Sequence, residues 1–260
     1  MRSNRIPYLR LAIAGCAATG GGGAGAPALS TTRIAQIVAS PDRSAADRTN
    51  DQRRKPEQML AFIGVRSGIT ALDLSAGGGY TSELLARAIG PAGKVYGQSR
   101  PGPSAGPRPS PVALAERDAN LKRTGVAAAP ITAVVQPFEN PVPAELADGR
   151  VDLVTLMFNY HDLGHLNVDR AQMNRAVFRA LKPGGIYVIA DHSGRPGTGI
   201  SESGTLHRIE EAFLRREVEV AGFRLLEQGD FLRNPADPRD RNVPEPPQPK
   251  DEFVLKFVKP

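Results

Sequence analysis

The stretch Ala71-Leu72-Asp73-Leu74-Ser75-Ala76-Gly77-Gly78-Gly79-Tyr80 joins a carboxylate, a run of small residues and the start of an amphipathic segment. If Asp73 ends a strand and a helix opens near Tyr80, the turn between them lets a ligand approach the backbone with no β-carbon in the way. The helix amino terminus adds unsatisfied N–H groups. An acid at the strand tip accepts hydrogen bonds from an ammonium or hydroxyl group of that ligand. A tight turn with no ligand is the plainer alternative, but the carboxyl end of a central strand is where open α/β sheets bind ligands.

A second group of reactive side chains lies in Phe158-Asn159-Tyr160-His161-Asp162-Leu163. An imidazole titrates near neutrality, so His161 is the candidate general base, oriented by Asp162 or Asp191. Tyr160 would shape the pocket. In the competing reading the His161-Asp162 pair only holds its own loop. Asp162, Asp191 and His192, with His161 and His165, also fall near strand tips, but they lack the spacing of a structural metal site and no metal is expected. His207 reads as the surface of a helix. Arg48, Arg53, Arg54 and Lys55 read as a solvated face, or as a patch that docks an anion or closes over the ligand.

The elements that must position these groups alternate short aliphatic runs with amphipathic segments, the pattern of a parallel sheet covered by helices. The strands expected are 70–74, 94–98, 131–136, 151–157, 185–191, 223–227 and 252–258. Helices are expected over 81–89 and 112–122. A third is capped by Asn167 and presents Met173, Val177 and Leu181. A fourth carries Leu206, Ile209, Phe213 and Val218 and stops at Gly222. Two proline-rich stretches, 101–111 and 234–250, read as loops, the second leaving the last two strands to pair antiparallel.

The chain has 260 residues, 40% of them hydrophobic, enough for one sizeable core. Its single cysteine, Cys16, excludes an internal disulfide framework and a cysteine-built zinc site. The absence of tryptophan, with 5% aromatics, argues against a base-stacking nucleic-acid module. The formal charge of +6 is concentrated in part at Arg2, Arg5 and Arg10, followed by an uncharged run from Leu11 to Thr32 that contains Ala26-Pro27-Ala28. That is the layout of an export signal over 1–28, to the periplasm or beyond, with a disordered cytoplasmic tail as the alternative, and its removal leaves +3, too little to argue for nucleic acid. A polar lead-in over 29–55 and one domain over 56–260 complete the expected organisation. Glycines dilute the apolar run at the amino terminus, so no stable membrane span is expected.

A nicotinamide or flavin site wants G-x-G-x-x-G and an acid about 20 residues later. Here Ser82 stands at the third glycine position and Gln98 ends the next strand, which disfavours a nicotinamide-dependent reductase. Three blocks instead resemble class I S-adenosylmethionine-dependent methyltransferases: DLSAGGGYTSELLARAIGPAGKVYGQ, VDLVTLMFNYHDL and ALKPGGIYVIADHS. The chain is most similar to a bacterial branch with signal-like amino termini, with RKP before the first strand and DEFVLKFVKP at the close.

The resemblance implies a Rossmann-like α/β fold with a seven-stranded, mostly parallel sheet, helices on both faces and an antiparallel last strand. It implies S-adenosylmethionine as cofactor and, with it, transfer of a methyl group to a small-molecule acceptor. Asp73, Ser75, Ala76, Gly77 and Gly79 would surround the methionine part, Gln98 would take the place of the ribose-binding acid, and Glu139 would lie near adenine. Asn159 would join the cofactor site, with His161 and Asp162 as catalytic residues. Ser75 stands where glycine is common. A noncatalytic or merely cofactor-binding protein of the same fold is the alternative.

Overall fold

The computed structural model describes residues 26–102, 108–244 and 247–260. Most of the expected leader and the centre of the first proline-rich loop lie outside the described residues.

The sheet is built from β1 (Thr70–Leu74), β2 (Lys94–Ser99), β3 (Ile131–Val135), β4 (Val151–Met157), β5 (Leu181–His192), β6 (Arg224–Gly229) and β7 (Glu252–Val258), in the order β3-β2-β1-β4-β5-β7-β6. β1 to β5 pair in parallel, and β7 runs antiparallel between β5 and β6. This is the Rossmann-like arrangement expected, with β7 as the antiparallel strand. Central strands covered on both faces must be apolar almost throughout, and β4 is buried at six of its seven positions. The chain builds outward from β1 through β2 to β3, then returns to place β4 on the other side of β1. The switch point therefore lies between β1 and β4, and a crevice opens there at the carboxyl ends of the strands.

Helices pack on both faces. α1 (Thr31–Val38) is capped by Ser30, whose hydroxyl accepts from Arg33 N at 3.2 Å, and buries Ile34 and Ile37. α2 (Ala45–Arg54) is capped by Ser44 and ends at Lys55, where φ is 44°. Pro56 starts α3 (Pro56–Ile63) at a position where a missing N–H costs nothing. The polar stretch 29–55 thus carries two helices: Arg43, between them, pairs with Asp51 of the second at 2.7 Å, and Arg117 of α5 (Ser110–Arg123) ties the stretch to the sheet domain by pairing with Asp47 at 2.8 Å.

α4 (Tyr80–Ile89) follows the glycine turn, with Gly79 as its N-cap. α6 (Asp162–His165) is one turn, and α7 (Arg170–Ala180) and α8 (Glu211–Val220) cover the other face. No helix among the described residues is long and apolar enough to cross a membrane.

Two helix expectations change. Asp169, not Asn167, caps α7 by accepting from Gln172 N at 2.8 Å, and Leu181 already belongs to β5. Leu206 and Ile209 precede α8 and lie in a loop. Ile209 is buried because it bridges Ser193 beside the end of β5, and its apolar spacing with Phe213 imitates a helical stripe. His207 therefore lies in a loop at φ 51°, not on a helix face.

Candidate functional site

Glycine is required at two positions in and beside the turn. Gly79 has φ 77°, and a β-carbon there would lie 2.7 Å from Arg117 Cδ. Gly97, on β2, passes so close to α5 that a β-carbon would meet Leu114 Cδ1 at 2.6 Å. Ser75 occupies φ 54° without being glycine, which is why glycine suits that place better. Its backbone N–H donates to Gln98 Oε1 at 3.0 Å and its hydroxyl donates to Asn159 Oδ1 at 2.7 Å. Phe158 (φ 59°) and His207 (φ 51°) are also held in the left-handed region. Ser75, Phe158 and His207 lie around one end of the sheet, and backbone strain of this kind gathers where geometry serves function.

Along this rim runs a cleft of about 620 Å³, lined by Ser75, Gly77 and Gly78 from the turn, Ser99 and Arg100 from the end of β2, Val135 and Phe138 from the end of β3, and Asn159, Asp162 and His207 opposite. The turn is not plugged. A β-carbon at Gly78 would meet nothing within 4 Å. Val135 remains 50% exposed and gives the cleft an apolar wall.

The residues expected at the site divide between wall and support. Ser75, Gly77, Asn159 and Asp162 line the cleft. Asp73 does not; it lies buried beneath the turn, accepting from Ser82 Oγ at 2.6 Å and Thr155 Oγ1 at 2.8 Å. Burial pushes its pKa up to about 6 against the pull of those hydroxyls and of Arg54. Ala76 is buried and spends its N–H on Gln98 O at 2.8 Å, while Gly79 N donates back to Ala76 O at 2.8 Å.

Gln98 is fully buried and braces the turn, its amide reaching Gln136 O at 2.7 Å. Ser99, one residue on, turns to the cleft instead, as strand alternation requires. Glu139 is half-buried next to Phe138 and is not part of the cleft lining. Tyr160 is in the core, where its hydroxyl accepts from Asn174 at 2.8 Å and donates to Glu217 at 3.0 Å, so it shapes no pocket wall.

His161 is clamped. Its Nδ1 lies 2.6 Å from Asp191 Oδ1, its Nε2 lies 3.0 Å from Asp162 Oδ1, and its backbone N–H donates to Asp191 Oδ2 at 2.8 Å. Burial pulls its pKa down, but the charge of Asp191 and the bonds to both carboxylates outweigh that and hold it up to about 9. An imidazolium with both nitrogens engaged is not a resting general base, so the geometry gives His161 a positioning role and favours the loop-holding alternative. Asp162 is the hub. Besides His161 it accepts from Asn159 Nδ2 at 2.8 Å and meets His207 Nδ1 at 2.8 Å, and burial's upward push is overcome by the two imidazoles, which keep its pKa at about 2.

His207 is the residue the sequence reading missed, since a loop histidine inside an apparent apolar stripe carries no local signal. His192 lies apart from the cleft, its ring 5.2 Å from that of His161, and burial drives its pKa down to about 3.

Of the basic cluster, Arg48, Arg53 and Lys55 are exposed, as a solvated face would be, and only Arg54 turns inward. Arg53 pairs with Glu252 at 2.7 Å, and the Arg54 guanidinium lies over the rings of Phe158 and Tyr80 at 4.8 and 5.2 Å. Arg54 Nε is buried without a hydrogen-bond partner, and burial lowers the pKa of the group.

Among solved structures the chain is similar to an S-adenosylmethionine-dependent methyltransferase from Aquifex aeolicus, at 18% identity and TM-score 0.56, over 89% of this chain and 100% of that one. It is also similar to an arsenic(III) S-adenosylmethionine methyltransferase from Chlamydomonas reinhardtii, at 23% identity and TM-score 0.52, over 74% of this chain and 64% of the other. A third similar structure is the cyclase SpnF, at 17% identity and TM-score 0.54, over 91% of this chain and 99% of that one. Identities this low establish the fold alone, and fold does not fix chemistry. Residues 72–189 match the methyltransferase-domain family. The match points to S-adenosylmethionine as the cofactor, and the neighbours show that the chain shares the fold of S-adenosylmethionine-dependent methyltransferases.

Proposed function

We propose that the protein transfers the methyl group of S-adenosylmethionine to a small-molecule acceptor bound beside Asn159, Asp162 and His207. The observation that carries this reading is the open cleft of about 620 Å³ between the glycine turn and the end of β4, a volume suited to a nucleoside ligand and a small partner.

The residues present fit the cofactor. Gly77 and Gly78 line the cleft, and their N–H groups take no partner among the described residues. They would receive the amino-acid end. The Ser99 hydroxyl, at the end of β2, would meet the ribose, and Val135 and Phe138 would flank the adenine. Asn159, fixed on both sides by Ser75 and Asp162, would close the site toward the acceptor. Asp73 and Gln98 act indirectly, holding the turn from below.

S-adenosylmethionine, when bound, supplies an electrophilic methyl group on a positively charged sulfur. The chain's own contribution is then mostly orientation: it aligns the acceptor and excludes water. His161 keeps Asp162 in place and takes no proton.

Incubation with methyl-labelled S-adenosylmethionine and pooled low-molecular-weight acceptors, followed by mass spectrometry, tests the proposal. It expects a labelled product formed at a rate proportional to enzyme. Binding of the cofactor without any labelled product across oxygen, nitrogen and sulfur acceptors would favour the noncatalytic alternative.

We further propose that the chain is exported. Cleavage after Ala28 would remove the bridge between Ala28 and Arg66 and keep Leu29, whose N–H donates to Val65 O at 2.9 Å. The mass of the mature protein tests this, and a retained Met1 in an exporting host contradicts it.

A further inference from the structure

We propose that His161, Asp162 and His207 form a binding site for a borderline divalent cation such as Zn²⁺ on the wall of the cleft. Among the described residues these three offer ligand atoms within 4.8 Å of one another. Asp162 Oδ1 lies 3.0 Å from His161 Nε2 and 2.8 Å from His207 Nδ1. A tetrahedral zinc ion with bonds of about 2.0–2.1 Å holds its ligand atoms about 3.3 Å apart, so each imidazole nitrogen needs to part from the Asp162 oxygen by only a few tenths of an ångström. Two imidazoles and one carboxylate are a donor set for zinc, cobalt or iron, not for magnesium or calcium.

The surroundings are those of a metal-binding histidine. Asp191 is fully buried and accepts from the Nδ1 side of His161 at 2.6 Å, from the His161 backbone at 2.8 Å and from the His192 backbone at 2.8 Å. A carboxylate so fixed sets the ring orientation and leaves Nε2 aimed at the cation position. This carboxylate–histidine pairing orients metal ligands and raises their basicity.

Asn159 occupies Asp162 Oδ2 at 2.8 Å, which leaves Oδ1 as the ligand oxygen. Asp162 and His207 both line the cleft, so the remaining coordination positions open toward it. His165 stands nearby, its Nδ1 3.8 Å from the same oxygen but already engaged with Ser203 Oγ at 3.0 Å. The cation takes the place of the ring protons now directed at Asp162 Oδ1, and those protons pass to solvent.

Two neutral imidazoles and one carboxylate leave the ion a net positive charge, which would draw an anionic oxygen of an acceptor. That last role rests on the methyl-transfer reading. Cation binding itself does not, and the two fail separately because each is measured with its own ligand.

The full chain, stripped with chelator, would be titrated with Co²⁺ while following visible absorption and with Zn²⁺ by calorimetry. The proposal expects one equivalent of either ion, with the intense visible bands of Co²⁺ in a low-coordinate site. His207→Ala should weaken binding at least tenfold, and Asp191→Asn by about 10- to 100-fold. His207 is a partly exposed loop residue, so its variant is the decisive one, with circular dichroism and thermal melting verifying the fold. Absence of a stoichiometric site in the unaltered chain, or unchanged affinity in His207→Ala, overturns the proposal and leaves the three residues as a hydrogen-bonded cluster.

Discussion

Ser75 Oγ donates to Asn159 Oδ1 at 2.7 Å and so ties the tip of β1 to the chain leaving β4, across the point where the order of strands reverses. Both residues line the cleft, and the bond between them fixes the spacing of its two walls. Ser75 supplies this bond while held at φ 54°, so the hydroxyl gives something that glycine, the easier residue there, cannot.

A double-mutant cycle checks the tie. Ser75→Ala and Asn159→Ala should each weaken binding of S-adenosylhomocysteine, and the pair should cost less than the sum of the two, by about 0.5–1.5 kcal/mol. Calorimetric titration of the four proteins gives the coupling. Strict additivity would mean the bond is incidental.

Gly79→Ala places a β-carbon 2.7 Å from Arg117 Cδ at φ 77°. The left-handed backbone alone costs about 1–2 kcal/mol, and the clash with Arg117 adds to it. The variant should therefore denature at lower urea than the unaltered chain. An unchanged midpoint would show that the turn yields readily.

Asp73 makes stability depend on pH. Its pKa is about 6 in the folded chain, above the ordinary 3.8, so between those values the folded state binds more protons than the unfolded one. Its contribution is most favourable below pH 4, is lost as pH rises from about 4 to 6, and then stays level, a change of about 3 kcal/mol. Asp73→Asn removes that titration. The stability of the unaltered chain relative to the variant should fall over this interval in urea denaturation at stepped pH, and a flat difference would contradict the burial account.

His161→Ala leaves Asp191 fully buried without its charged partner. Breaking a buried pair from one side costs about 3–5 kcal/mol. Thermal melting should show a large loss of stability. A variant as stable as the unaltered chain would mean that His161 does not hold the loop.

Much of the sheet was legible because strands buried on both faces must read as aliphatic runs, and 151–157 does so without ambiguity. The glycine turn was legible from residue type alone. The division of the site into wall and support was not. Gln98 and Ser99 are adjacent and equally polar, and only the register of β2 sends Gln98 under the turn and Ser99 into the cleft.

Tyr160 and His161 stand beside cleft residues in sequence, yet one is drawn into the core by Asn174 and Glu217 and the other is pinned by Asp191. His207 reaches Asp162 from 45 residues away, through a loop whose apolar spacing mimics a helix. Contacts of that range arise from tertiary packing and leave no local trace.

The central claim, that S-adenosylmethionine occupies the cleft against the glycine turn, is tested most directly at Gly78. A β-carbon there meets no atom of the described residues within 4 Å, so the backbone tolerates a side chain, and Gly78→Leu should fold while extending into the ligand's space. Calorimetric titration with S-adenosylhomocysteine should give one site in the unaltered chain and at least tenfold weaker binding in the variant, at equal melting temperature. Equal affinity in both proteins, or no binding by the unaltered chain, would contradict the account.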